Sequence, residues 1–183
     1  MWISRLFLIY CLKNNTEWFI CLYNKKELLI NKRGKIMYRI KKTFKGYPFA
    51  HRQHTHDGHC KLVHGHNWDF EICMSADHLD QNGFVYDFGK FGDLKKWFTE
   101  MFDHTCLING DDPNLEVFEL LRAQGLIDLR IVDSCSSEGI AKMIYDKITA
   151  DLKTDENNHR NLQLNYVIVY EDYKNAAQYT GNN

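Results

Sequence analysis

The stretch His51 to Asn67, HRQHTHDGHCKLVHGHN, constrains this chain more than any other. It holds six of the nine histidines and ends in His64-Gly65-His66. Residues i and i+2 of a strand point to the same face, so an H-x-H pair sends two imidazoles the same way, toward one metal ion. A third histidine from a neighbouring segment completes a three-nitrogen set. Three protein ligands and an open position make the pattern of a catalytic zinc, whereas a structural zinc is closed by four. Cys60 lies four residues before His64, too far along a strand to be read automatically as a fourth ligand. Its first reading is a nucleophile or base beside the metal. The bland alternative is a polar loop. Gly65 and Asn67 weigh against it, because glycine lets another group approach the backbone closely.

The pattern around this stretch predicts a sheet with helices. Tyr38 to Phe44 reads as a strand, followed by a turn at Gly46-Tyr47-Pro48. From His66 to Ala76 the chain alternates, with Trp68, Phe70, Ile72 and Met74 on one face and Asn67, Asp69, Glu71 and Cys73 on the other. That is a half-buried strand. Pairing it with the first strand as an antiparallel hairpin brings His51 near His64 and His66. Val85 to Gly89 leads into a helix whose stripe is Leu94, Trp97, Phe98, Met101 and Phe102, ending at Asp103 to Leu107. Asp112-Pro113-Asn114 opens a second, shorter helix that ends near Gly125. Ile127 to Val132 is a short strand. Ser134 to Ser137 cap a third helix, with Glu138 in its first turn, where negative charge is favoured. Asp151 to Asn161 is a charged loop, and Leu162 to Tyr170 and Ala176 to Thr180 supply the last strands. The order predicts an α+β fold with helices packed on one face of an antiparallel sheet.

Composition matters chiefly at the N-terminus. Residues 1–36 carry a net charge of +5 and the remainder −6. The apolar run Leu6 to Leu12 is far short of the ~20 residues that a membrane span needs. It is a signal-peptide core without an A-x-A-like cleavage site, a hydrophobic element packed on the domain, or a product of translation from upstream of a true start at Met37. The expected division is therefore an N-terminal extension at 1–36 and one domain at 37–183. The whole chain has a net charge of −1, so no overall field recruits nucleic acid. Six scattered cysteines without C-x-x-C point to a reducing cytoplasm rather than a disulfide framework.

Asp103-His104, just past a helix end, has two readings. One is an acid–base unit in which the carboxylate fixes the imidazole tautomer. The other is a polar helix C-terminus, where His⁺ is also favourable.

Five separated motifs, spread from about Met37 to Tyr179, resemble the 6-pyruvoyl-tetrahydropterin synthase and 6-carboxy-tetrahydropterin synthase superfamily. They are Phe49-Ala50-His51-Arg52, Cys60-x-x-x-His64-Gly65-His66-Asn67, Asp103-His104-x-x-Leu107, Ser136-Ser137-Glu138 and the segment Tyr170 to Tyr179 containing Glu171. Cys135 and Gly139 depart from the family's pattern, where proline and asparagine are common. The resemblance implies zinc on His51, His64 and His66, with Cys60, Asp103 and His104 as the catalytic residues. It implies that Glu171 holds the pterin, with Ser136, Ser137 and Glu138 beside it. It further implies the T-fold: a four-stranded antiparallel sheet joined through strand edges into a trimeric barrel, two of which stack into a hexamer. The implied substrate is 7,8-dihydroneopterin triphosphate. The three-residue gap between Cys60 and His64 resembles the bacterial 6-carboxy-tetrahydropterin synthases of queuosine and 7-deazaguanine synthesis. The alternatives are a pyruvoyl-forming lyase of biopterin synthesis and a non-catalytic, metal-bound binding module.

Overall fold

The computed structural model describes residues 8–9, 19–23, 26–30, 36–153 and 160–181, with side chains from Met37 onward. Three short strands, β1 (Leu8–Ile9), β2 (Phe19–Tyr23) and β3 (Lys26–Ile30), form an antiparallel meander. Its last strand meets the start of β4 (Ile36–His51) through Leu29↔Met37 and Ile30↔Ile36. The rest of the expected N-terminal extension lies outside the described residues.

β4 and β5 (His64–Ala76) pair antiparallel from Tyr38↔Ala76 to His51↔His64. The turn expected at Gly46 is instead a bulge inside one continuous strand. Phe44 opposes Phe70 and Tyr47 opposes Trp68, so β4 carries one extra residue between them. Gly46 takes φ of 79°, a left-handed conformation that costs glycine little. Its N–H donates to Asp69 Oδ1 at 2.8 Å. Strict alternation would put Phe44 and His51 on opposite faces. The extra residue shifts the parity, so Phe44, Tyr47, Phe49 and His51 all face the side that Trp68 and Phe70 face.

Beyond β5 come α1 (Gly92–Phe102), β6 (Thr105–Asn109), α2 (Leu115–Ala123), β7 (Leu129–Val132), α3 (Ser137–Lys153), β8 (Gln163–Tyr170) and β9 (Ala176–Tyr179). β4, β5, β8 and β9 are the expected antiparallel quartet. The sheet as a whole is mixed, because β6 runs parallel to the end of β4 through Phe49↔Thr105, Ala50↔Cys106 and His51↔Leu107, and β7 runs parallel to β6. The run after Asp103 is thus a strand rather than only a helix end. α3 continues through Asp151 to Lys153, so the start of the expected charged loop is helical, and residues 154–159 lie outside the described residues.

α1 and α3 cover the face that the histidines share. α1 buries Leu94, Phe98 and Phe102, and α3 buries Ile140, Ala141, Ile144 and Ile148, against Trp68, Phe70, Ile72 and Met74. Phe98 lies 4.8 Å from the Phe44 ring centre and 4.9 Å from that of Phe70. Each such side chain contributes about 1.5–3 kcal/mol by leaving water. α2 departs from the one-face expectation. Its Phe118 packs with Cys106, Ile108 and Leu129 in a separate cluster. Leu107 belongs to the main core, so its neighbours along β6 face the other way.

Candidate active site

Register alone assembles the centre. His51 opposes His64 across β4 and β5, and His66 is two residues further along β5 on the same face. Ring centres are 4.5 Å apart for His51 and His64, 5.1 Å for His64 and His66, and 5.6 Å for His51 and His66. Gly65 faces the close backbone of β4, where a Cβ would stand 3.1 Å from the Phe49 carbonyl oxygen. Glu171 follows the end of β8 and brings its Oε1 to 2.9 Å from His66 Nε2. The potential ligand atoms of His51, His64, His66 and Glu171 all lie within 4.8 Å of one another.

The donor set fits a metal ion. His51 Nδ1 donates to the Cys135 carbonyl at 2.8 Å, which leaves the lone pair on Nε2. That Nε2 is buried without a hydrogen-bond partner. His64 Nδ1 donates likewise to the Leu62 carbonyl at 2.9 Å. Carbonyls behind the rings orient them and raise their basicity. Burial pushes the His51 pKa down, opposed in part by its hydrogen bond to Cys135, so the ring favours the neutral form that binds metals. Trp68, wholly buried, stands edge-on to His51 at 5.0 Å and to His66 at 5.4 Å, giving the centre an aromatic floor.

Other predicted residues fall at graded distances from this centre. Ser137 joins it, because its hydroxyl donates to Glu171 Oε2 at 3.2 Å. Ser136 serves α3, accepting from the Gly139 N–H at 3.1 Å as an N-cap. Glu138 is exposed in the first turn of the helix. Cys60 is half-buried on a 3₁₀ turn, His59–Lys61, and its carbonyl accepts from the Gln53 N–H at 2.9 Å. Asp103 and His104 bond to each other at 2.7 Å, with His104 side-chain exposure of 84%. His104 has φ of 58°, a conformation that non-glycine residues adopt at a cost and that clusters at functional sites. Its N–H donates to the Pro48 carbonyl, three residues before His51, or about 10 Å along the strand. Among the described residues neither member of this pair bonds to Cys60.

Sequence reasoning gave no role to Arg52, Asn109 or Asp112, nor to the backbone of Cys135. Arg52 Nε lies 2.8 Å from the fully buried Asp112 carboxylate, and Asn109 Oδ1 accepts from the Cys135 N–H at 2.8 Å. The signal in the sequence is Asp112 ahead of Pro113, a pattern that by itself marks only a helix opening.

A mixed sheet that gathers three histidines and a carboxylate at one end, beside a cysteine loop, defines a class. The sequence profile of the family "6-pyruvoyl tetrahydropterin synthase" matches residues 39–182, and the chain belongs to that family. It is similar to the "6-carboxy-5,6,7,8-tetrahydropterin synthase" of Rickettsia conorii, with 32% identity over 110 residues, covering 59% of this chain and 78% of the relative. The Bacillus subtilis protein of the same description is 33% identical over 100 residues, covering 55% of this chain and 58% of the relative. Among solved structures, an uncharacterized protein of Wolinella succinogenes aligns with a TM-score of 0.67 at 19% identity, covering 80% of this chain and 99% of the other. The Caenorhabditis elegans 6-pyruvoyl tetrahydropterin synthase aligns with a TM-score of 0.55 at 20% identity, covering 81% and 98%. At these identities the structural likeness is one of fold. Among the described residues no helix is long and apolar enough to cross a membrane.

Proposed function

We propose that this chain is a zinc-dependent 6-carboxy-tetrahydropterin synthase, a lyase that converts 7,8-dihydroneopterin triphosphate and water to 6-carboxy-tetrahydropterin, acetaldehyde and triphosphate on the route to queuosine and other 7-deazaguanines. The observation that carries the reading is the convergence of His51, His64, His66 and Glu171, with potential ligand atoms within 4.8 Å, in a chain whose relatives bear the carboxy-forming name. His51, His64 and His66 would hold the zinc. The bound ion supplies Lewis acidity toward the hydroxyls of the substrate side chain.

The remaining work falls to this chain's own groups. Cys60, as thiolate, takes the proton from the side-chain carbon. Asp103 holds Nδ1 of His104, which leaves Nε2 to return protons. The Glu171 carboxylate accepts the exocyclic amino group and the adjacent ring N–H of the pterin as a charge-assisted pair. Ser137 orients that carboxylate through its hydroxyl. Ser136 and Glu138 complete the pterin side at the start of α3. The aromatic floor under the histidines lowers the local dielectric, which strengthens the contacts of Glu171 beside it.

The working protein is a cytoplasmic hexamer of two stacked trimers. Its support is family membership and the strand edges at β7 and β9, which pair on one side only among the described residues. Residues 1–36 are an extension outside the catalytic domain. A chain beginning at Met37 should sediment as the same oligomer and carry the same zinc, and aggregation of the shortened chain would make the segment integral. The reaction itself is tested by mass spectrometry of the products formed from 7,8-dihydroneopterin triphosphate. Release of acetaldehyde with 6-carboxy-tetrahydropterin is expected. Sole formation of 6-pyruvoyl-tetrahydropterin would move the protein to the biopterin-type reaction, and no turnover by the zinc-loaded protein would make it a binding module.

A further inference from the structure

We propose that Asp112 is a positioning residue, which fixes the cysteine loop beside the histidine centre from the opposite face of the sheet. The role in turnover rests on the function proposed above. Asp112 has no exposed side-chain surface, and its two oxygens serve different segments. Oδ1 accepts from the Asn114 N–H at 2.9 Å, at the start of α2. Oδ2 lies 2.8 Å from Arg52 Nε and 3.8 Å from His54 Nδ1. The Arg52 guanidinium also sits over the Phe118 ring, 5.7 Å from its centre.

An ion pair this deep is poorly explained by stability, since apolar side chains of like volume often serve as well. What it supplies is direction, at the first residues after the His51 ring. The Arg52 carbonyl accepts from Cys135 Sγ at 3.0 Å. The carbonyl of the same Cys135 receives His51 Nδ1. The next residue, Gln53, donates its N–H to the Cys60 carbonyl at 2.9 Å and so closes the loop that carries the thiol. One tether therefore runs from Asp112 through Arg52 and Gln53 to Cys60. None of its members belongs to the set of potential metal ligands.

The test is Asp112→Asn, which keeps the shape and the Oδ1 acceptor but removes the charge that holds Arg52. The first readout is hydrogen exchange of the zinc-loaded protein, which needs no turnover. Residues 52–62 should exchange at least about tenfold faster, while β5 and α3 keep their protection. The second readout is kinetic. A thiol displaced by about 1 Å costs roughly 10²-fold in kcat, with KM and zinc content unchanged. Arg52→Lys keeps the charge and should stay close to the wild type in both readouts, whereas Arg52→Met should show both effects. If Asp112→Asn fails to fold, His54→Gln loosens the same carboxylate from its other side and carries the same two readouts. Exchange at 52–62 unchanged in both Asp112→Asn and Arg52→Met would overturn the proposal. Exchange raised uniformly through β5 and α3 would do the same, since it marks a merely structural role. A wild-type protein that leaves the pterin untouched would sink the proposed reaction instead, and the exchange measurement would still decide the tether.

Discussion

Two of the imidazole–carboxylate arrangements in this molecule are built in opposite ways. At the end of the sheet, His66 and Glu171 lie 2.9 Å apart with side chains about three-quarters buried, although more than a hundred residues separate them in the chain. In the turn after α1, Asp103 and His104 are chain neighbours 2.7 Å apart, and His104 is almost wholly exposed. The first is held by strand register and sits over Trp68. The second is held by its own backbone and stays in water, where an ion pair is worth only about 0.2–1 kcal/mol. Similar distances therefore carry different chemistry. The register-built group can concentrate ligand atoms on a metal. The neighbour-built pair becomes a strong proton relay only when something covers it.

The largest test breaks the register-built group. His64→Ala should lose most of the bound zinc and the activity with it, while His59→Ala should keep both. Full zinc in the His64 variant, measured by elemental analysis, would reject the ligand set. Next in size is Cys60→Ala, which should retain zinc and lose about 10²–10⁴-fold in turnover, as expected on removing a positioned base. Cys60→Ser should do almost as badly. Zinc lost together with the thiol would turn Cys60 into a ligand and change its role.

Glu171→Gln is smaller and separates two uses of the same carboxylate. As pterin anchor, Glu171 contributes a charge-assisted bond worth roughly 1.5–3 kcal/mol. Pterin binding by calorimetry should then weaken about 10- to 150-fold with zinc unchanged. Loss of zinc would assign Glu171 to the metal. The smallest effect sharpens the comparison itself. If the Asp103–His104 pair works as exposed as it stands in one chain, Asp103→Asn should lower kcat only about 1.4- to 5-fold, the rate equivalent of its screened interaction. A fall beyond about tenfold would show that the pair is covered in the working assembly.

Much of the first arrangement was legible in the sequence, because it depends on period-two alternation and one hairpin. His64-Gly65-His66, the alternation through Met74 and the hairpin back to His51 were enough to bring three rings together. The stripes of α1 and α3 were equally plain. What the sequence hid was parity and sidedness. The bulge at Gly46 looked like a turn, since Gly-Tyr-Pro is turn chemistry and only the register with β5 makes it an insertion. β6 hid behind Asp103-His104, because a five-residue strand with only three apolar residues, Cys106 to Ile108, carries no period of its own. With β6 unseen, α2 had no second face to cover, and the burial of Asp112 could not be read. Glu171 was located through a family motif and not by any local pattern. Its approach to His66 depends on β8 pairing with β5, a contact between segments about a hundred residues apart.

The extra residue at Gly46 also governs which changes in length this strand can absorb. In an ordinary strand the loss of one residue inverts every side chain beyond it, and the loss of two restores them. β4 reverses that rule between Phe44 and Tyr47, because Lys45 and Gly46 together occupy one step of the ladder. Dropping Gly46 alone leaves an unbroken alternation with His51 still beside His64. Dropping Lys45 and Gly46 together sends His51 to the α2 side and Arg52 into its place. For this protein the single deletion keeps the histidine register and the double deletion breaks it, so losing one residue of β4 here leaves the three rings on one face.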